Sequence, residues 1–121
     1  MSVAVAVTDS SEGHVALEAA ANEAVHLNVP LVAVNLTGAD LDTSAVPADL
    51  PYEVVVPGST GLDEVEQVLQ VIEEQPAITR LVVGVRKRSP VGKAVLGSIA
   101  QRLILEASVP VLSVRTDTPG V

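Results

Sequence analysis

Short, mostly apolar stretches alternate with longer amphipathic ones along the whole chain. Five such stretches predict buried strands, at residues 2–7, 31–36, 52–56, 79–85 and 111–115. Apolar positions three and four residues apart predict helices between them, at residues 10–28, 62–74 and 91–107. Strands that alternate with helices predict an α/β fold, a parallel sheet under helices, in a single domain of residues 1–121.

Polar residues and glycines indicate how the helices begin. Asp9 or Ser10 would cap the first helix, and Glu12 stands where it could complete a capping box with Asp9. Thr60 is placed to cap the second helix. Gly97 would lie inside the third helix, where glycine costs about 1 kcal/mol relative to alanine. Either close packing of that helix on the sheet or a phosphate approaching its backbone would explain this glycine.

The connection between the second and third predicted strands, residues 37–51, shows no sustained periodicity. It carries Gly38, Pro47 and Pro51 together with three acidic residues. We expect a crossover loop with at most one helical turn.

The composition narrows the class of protein. The chain contains no cysteine, which leaves no disulfide framework and no thiolate metal site or nucleophile. No apolar run approaches the roughly 18 to 20 residues that a membrane span needs. No basic segment precedes the first apolar run, as it would in a signal peptide. We therefore expect a cytoplasmic protein without a membrane partner.

The charges are divided unevenly along the chain. Residues 1–79 hold 13 acidic residues and no lysine or arginine, while residues 80–121 hold all seven basic residues and two acidic ones, for a net charge of −8. Five of the basic residues fall between Arg86 and Arg102. They form either a solvated face that balances an acidic one or a local attraction for a small polyanion. The acidic balance and the single aromatic residue argue against nucleic-acid binding.

The stretch from Leu81 to Ser98 carries the clearest candidate site. A strand runs through Gly84 into a basic cluster that includes Arg86 and Lys87, and the chain then enters the third helix. A strand, a basic glycine-bearing loop and a helix make a site for an anion, most plausibly a phosphate. No Walker pattern is present, which excludes a P-loop nucleoside triphosphatase.

The opposite wall of such a site would come from the end of the first strand. Ligands of open parallel sheets bind beyond the carboxyl ends of strands, where the strand order reverses. If the first and fourth strands are neighbours, Asp9 and the basic loop flank one crevice. Asp9 would then accept hydrogen bonds from a ribose hydroxyl or an adenine amino group, although its local sequence alone favours the role of a simple helix cap.

From Gly84 to Ser98 the chain resembles the nucleotide loop of the universal stress protein family. That family's pattern is glycine, two residues, glycine, nine residues, glycine, and then serine or threonine, and Gly84, Gly97 and Ser98 match it in this spacing. Lys87 replaces the middle glycine, and it would either block a phosphate or supply a compensating charge. Thr8 with Asp9 resembles the family's first strand-to-helix turn, and residues 108–114 resemble its closing phrase.

The resemblance implies a three-layer sandwich with a five-stranded parallel sheet in the order 3-2-1-4-5. Residues 37–51 shorten a crossover where the family places another helix. The resemblance also implies ribose or adenine contacts from Thr8 and Asp9, and an adenine contact from the backbone around Val34. Phosphates would be held by the loop and helix residues Gly84, Arg86, Lys87, Gly97 and Ser98.

The family dimerises through the last strand, between Val111 and Arg115, so the resemblance implies a homodimer. An apolar strand at a sheet edge is also open to pairing on physical grounds, unless Arg115 and the polar tail shield it.

The leading hypothesis is a stress-response protein that binds ATP or a related adenine nucleotide in a regulatory role. The alternative is a dimeric adaptor of the same family that has lost nucleotide binding. A third hypothesis, an enzyme that carries out adenylyl or phosphoryl chemistry in the same crevice, ranks last. We expect a weak ATPase activity at most. His14 and His26 are twelve residues apart on one helix and share no face, so no metal site is expected.

Overall fold

The computed structural model describes residues 1–58, 61–86 and 97–116, with the backbone alone for Arg86 and Thr116. Strands and helices follow the predicted order. Their bounds are β1 (Ser2–Val7), α1 (Ser11–Leu27), β2 (Leu31–Asn35), β3 (Tyr52–Val55), α2 (Glu64–Glu74), β4 (Ile78–Arg86), α3 (Ser98–Glu106) and β5 (Val111–Thr116). None of the helices in these ranges is long and apolar enough to cross a membrane.

All five strands form one parallel sheet in the order β3-β2-β1-β4-β5, which confirms the predicted topology. The central strand β1 is buried at every position. Its valines, such as Val5, pack on the side of α1, while Ala4 and Ala6 face α2 and α3. This alternation explains how a strand of valine and alanine can be covered on both faces.

The sheet lies between two helical layers. The helix α1 covers one face with a stripe of small residues and Leu17, which is fully buried. The helices α2 and α3 cover the other face through side chains that include Val68 and Leu103, both fully buried. The predicted three-layer sandwich is therefore confirmed.

The crossover between β2 and β3 contains turns and no helix, as the sequence predicts. Asn35, the last residue of β2, is buried and holds the start of the crossover. Its side-chain oxygen accepts hydrogen bonds from the Thr37 backbone N–H at 3.0 Å and from the Thr37 hydroxyl at 2.7 Å. Its amide nitrogen donates to the Ala39 carbonyl at 2.8 Å. Further along, Val46 and Leu50 enter the core on the α1 side, so the crossover fills part of that layer without forming a helix.

The sequence allowed either Asp9 or Ser10 as the N-cap of α1, and the structure has Ser10. Ser10 is the N-cap residue, with extended backbone, and its hydroxyl accepts from the Gly13 backbone at 3.3 Å. The expected capping box between Asp9 and Glu12 does not form, because Asp9 precedes the cap. The other arrangement that the sequence allowed, Ser10 as the cap, is confirmed.

The starts of α2 and α3 also correct the predictions. Asp63 caps α2, where we expected Thr60, because Asp63 forms a capping box with Glu66. The Glu66 backbone N–H donates to the Asp63 carboxylate at 2.8 Å, and the Asp63 backbone N–H donates to the Glu66 carboxylate at 3.1 Å. The helix α3 begins at Ser98, so Gly97 is its N-cap and not an interior residue. The remainder of the predicted third helix, residues 91–96, lies outside the described residues.

Candidate functional site

A cavity of about 260 Å³ opens at the carboxyl ends of β1 and β4, beside the start of α3. These strands are hydrogen-bonded neighbours, and the chain order reverses between them, which is where open parallel sheets bind ligands. We call this space the α3 cavity. Its polar rim and apolar floor are formed by Thr8, Glu12, Gly84, Gly97, Ser98, Ala6, Val83, Ile99, Ala100 and Leu103.

The turn after β1 holds Thr8 at the rim. The Thr8 hydroxyl and the Ser10 hydroxyl share a hydrogen bond of 2.8 Å, and the Ser10 backbone N–H donates to the Thr8 carbonyl at 2.9 Å. Because Ser10 also caps α1, the position of Thr8 is coupled to the first turn of that helix.

Two glycines allow the first turn of α1 to pack against the ends of the strands. A Cβ atom on Gly84 would overlap the Glu12 carbonyl oxygen and lie 2.8 Å from its carbonyl carbon. A Cβ atom on Gly13 would overlap the Thr8 carbonyl oxygen and lie 2.7 Å from its backbone nitrogen. Both glycines are therefore required by contacts within the chain. Gly13 is not among the predicted site residues, since its only local signal is a glycine in the first turn of a helix.

The start of α3 is open toward the cavity. Gly97 provides no capping side chain, and the first helical hydrogen bond runs from the Gln101 N–H to the Gly97 carbonyl at 3.0 Å. The N–H groups of Ser98, Ile99 and Ala100 precede it and have no acceptor within the helix. All three residues line the cavity. A helix start of this kind attracts an anion through its N–H groups and its dipole.

The structure brings four of the predicted site residues to the same cavity: Thr8, Gly84, Gly97 and Ser98. Asp9 is exposed to solvent and is not part of the lining. Val34 is fully buried within β2 and is not part of the lining either. The side chain of Arg86 and the whole of Lys87 lie outside the described residues.

One member of the predicted cationic cluster is engaged elsewhere. The Arg102 guanidinium binds the Asp63 carboxylate at 2.7 Å, which ties α3 to the start of α2, and it binds Glu106 at 3.1 Å. The hydrogen bond from Arg102, followed by that from the Glu66 backbone, lowers the pKa of Asp63. Arg102 therefore joins two helices and does not point its charge at the cavity.

The side chains that could serve as metal ligands are scattered. His14 and His26 are both exposed on α1. Within residues 1–58, 61–86 and 97–116 there is no group of three or more histidine, cysteine, aspartate or glutamate side chains that could hold a metal ion.

The fold and this crevice place the chain among the doubly wound α/β proteins. Residues 51–115 match the family model described as the universal stress protein family. A curated universal stress protein of Mycolicibacterium smegmatis is 36% identical in an alignment 118 positions long, with coverage of 85% of this chain and 88% of the relative. The chain therefore belongs to the universal stress protein family.

Solved structures agree with this assignment. A universal stress protein from Archaeoglobus fulgidus is 28% identical, with a TM-score of 0.68 over 93% of this chain and 97% of its own. A complex of the A. fulgidus protein with dAMP is 23% identical, with a TM-score of 0.62 over 93% and 96%. A universal stress protein in complex with cAMP is 21% identical, with a TM-score of 0.65 over 97% and 98%.

Proposed function

We propose that this protein binds an adenine nucleotide in the α3 cavity and that the bound state has a regulatory role. The observation that carries the proposal is the start of α3, which presents three N–H groups without a capping side chain to the cavity. The complexes of similar proteins with dAMP and cAMP support this choice of ligand.

The chemistry of the cavity suits the parts of such a ligand. The phosphate would sit at the N–H groups that begin α3, with the Ser98 hydroxyl as an additional donor. The apolar floor, which includes Ala6 and Leu103, would take the base or sugar. The Thr8 hydroxyl at the rim would bind the ribose. ATP would need further cationic groups for its additional phosphates, and Arg86 and Lys87 are our candidates for that role.

A binding role is favoured over catalysis by the residues around the cavity. Among the described residues that line it, Glu12 is the only one with an ionisable side chain. General acid–base catalysis of phosphoryl transfer usually needs more than one positioned group. We therefore propose reversible nucleotide binding as the primary activity.

We also propose a homodimer formed through β5. This strand lies at one edge of the sheet, and Leu112 is 42% exposed. The side chain of Ile104, on α3, is 40% exposed. Because α3 packs against β5 and also begins at the cavity, a nucleotide at its start would contact an element adjoining the dimer interface. The cytoplasmic location expected from the sequence stays a prediction.

Calorimetric titration with AMP, cAMP and ATP tests the nucleotide proposal, with the variants Gly97→Asp and Gly97→Asn. In the described part of the chain nothing lies within 4 Å of a Cβ placed at this position, and aspartate and asparagine are both good N-caps. The aspartate would bind the same N–H groups as the phosphate and repel it. We expect Gly97→Asp to weaken binding at least about tenfold more than Gly97→Asn, since only the charge differs.

Two results would contradict the proposal. One is the absence of heat and of thermal stabilisation with all three nucleotides at about 1 mM. The other is unchanged affinity in Gly97→Asp. A chain that binds no nucleotide but still dimerises through β5 would correspond to the adaptor hypothesis, so sedimentation of wild type and Leu112→Glu should accompany the titration.

A further inference from the structure

The β3 edge, which we define as residues 52–56, is exposed along most of its length. While β1 and β2 are buried at every position, Tyr52, Val54 and Val56 are 46%, 36% and 69% exposed. Tyr52 and Val54 occupy alternate positions of β3, so their side chains project from the same face, and Val56 follows the end of the strand. The β3 edge therefore presents a row of two apolar side chains, Tyr52 and Val54, to solvent, with the exposed Val56 beyond them.

The short crossover explains why this row is open. Tyr52 and Val54 lie opposite Leu31 and Ala33 of β2, which belong to the core on the α1 side. The crossover covers that part of the core with turns and not with a helix, while Tyr52 and Val54 on β3 stay exposed. The apolar row is the part of this face that the crossover leaves uncovered.

The backbone of the β3 edge is also available for pairing. The Leu31 N–H donates to the Pro51 carbonyl at 3.0 Å, which fixes the phase of the parallel ladder between β2 and β3. In that phase Tyr52, and Val54 two residues later, direct their N–H and C=O groups away from β2. The same two residues thus offer both main-chain hydrogen bonds and apolar side chains to a further strand.

The surroundings of the edge are acidic. Residues 1–79, which build β1, β2, β3 and the helices α1 and α2, contain 13 acidic residues and no lysine or arginine. Glu53 lies within β3 itself, and Val56 shares a cleft of about 410 Å³ with Asp40 and Glu64. A strand added here would run beside negative charge and end near two carboxylates.

We infer that the β3 edge binds an extended segment of a partner protein in which apolar residues alternate with basic ones. The segment pairs with Tyr52 and Val54 as an added strand, its apolar side chains cover the exposed row, and a basic side chain enters the cleft at Asp40 and Glu64. A second copy of this edge is a poorer occupant, because it would bring the same acidic residues against each other.

Fluorescence anisotropy with a short labelled peptide that alternates valine and lysine tests the inference on the full chain. Val54→Pro removes the outward N–H without removing a hydrogen bond to β2, and Val54→Lys adds a repelling charge to the row. Val25→Lys, at a valine that is 52% exposed on α1, is the matched control. We expect about tenfold weaker binding for each Val54 variant, wild-type binding for Val25→Lys, and weaker binding at high salt.

Circular dichroism must show that each variant is folded. If Val54→Pro does not fold, the affinity of Val54→Lys is compared with that of wild type and of Val25→Lys. Wild-type affinity in the Val54 variants would overturn the inference. Equal binding of a peptide that alternates valine and glutamate would do the same. If sedimentation shows that the protein self-associates and that Val54→Lys abolishes this association, the β3 edge binds a second copy of the chain. The inference of a basic partner segment is then wrong.

Discussion

Replacing Gly84 with alanine should destabilise the fold whether or not a ligand is present. The new Cβ would overlap the Glu12 carbonyl oxygen and lie 2.8 and 2.9 Å from its carbonyl carbon and Cβ. Neither side can yield easily, because β4 is hydrogen-bonded between β1 and β5, and Ser10 fixes the first turn of α1. Such overpacking costs about 3 kcal/mol, and the lower chain entropy of unfolded alanine offsets about 1 kcal/mol. We expect a net loss of about 2 kcal/mol.

Urea unfolding followed by circular dichroism measures this loss, with Gly97→Ala as the matched control. Gly97 has an ordinary φ of −64°, and a Cβ there would meet no described residue within 4 Å. Its replacement should cost at most about 1 kcal/mol, through the weaker N-cap preference of alanine. A Gly84→Ala protein within about 0.5 kcal/mol of wild type would refute the packing argument. So would a control that loses as much stability as Gly84→Ala.

Two further substitutions test other contacts. Leu103→Ala removes a fully buried side chain from the floor of the α3 cavity and should cost about 3 kcal/mol in urea unfolding; a loss below about 1 kcal/mol would mean that the site collapses around the smaller residue. Asp63→Asn should lower the melting temperature at neutral pH, because it removes the ion pair with Arg102. The pKa of Asp63 lies below its ordinary 3.8 in the fold, so its contribution is complete above that value and is lost as pH falls through the folded pKa. The two melting curves should therefore converge in strong acid, and a difference that persists there would contradict the assignment.

The order of elements could be predicted because strands buried on both faces leave a clear pattern. The five apolar stretches coincide with β1 to β5 to within one residue at every end. The helix starts were harder, because several polar residues compete for each cap. Asp63 prevails at α2 through the reciprocal bond with Glu66, and it also binds Arg102, which lies 39 positions along the chain. Local sequence contains no signal for that tertiary contact.

Four of the eight predicted site residues, Thr8, Gly84, Gly97 and Ser98, line the α3 cavity, and their roles in binding stay predictions. Glycine spacing identified Gly84 and Gly97, and the structure places both at the α3 cavity. Their functions depend on what approaches each backbone, and a spacing pattern does not contain that information. Gly13 was missed for the same reason, because the Thr8 backbone that excludes a side chain there is brought close only by the turn between β1 and α1.

The two glycines of the loop pattern consequently carry different evidence about function. Gly84 is required by Glu12 in the fold itself, so a family member that no longer binds nucleotide would still need it. Among residues 1–58, 61–86 and 97–116 nothing lies within 4 Å of a Cβ placed at Gly97, and this glycine leaves the N–H groups of α3 without a side-chain cap, a choice that packing among these residues does not impose. Ser, Thr, Asp or Asn at that position would stabilise the helix start, at the expense of the anion site. The glycine at 97 is therefore the stronger argument for a ligand, and substitution there separates the nucleotide-binding and adaptor hypotheses.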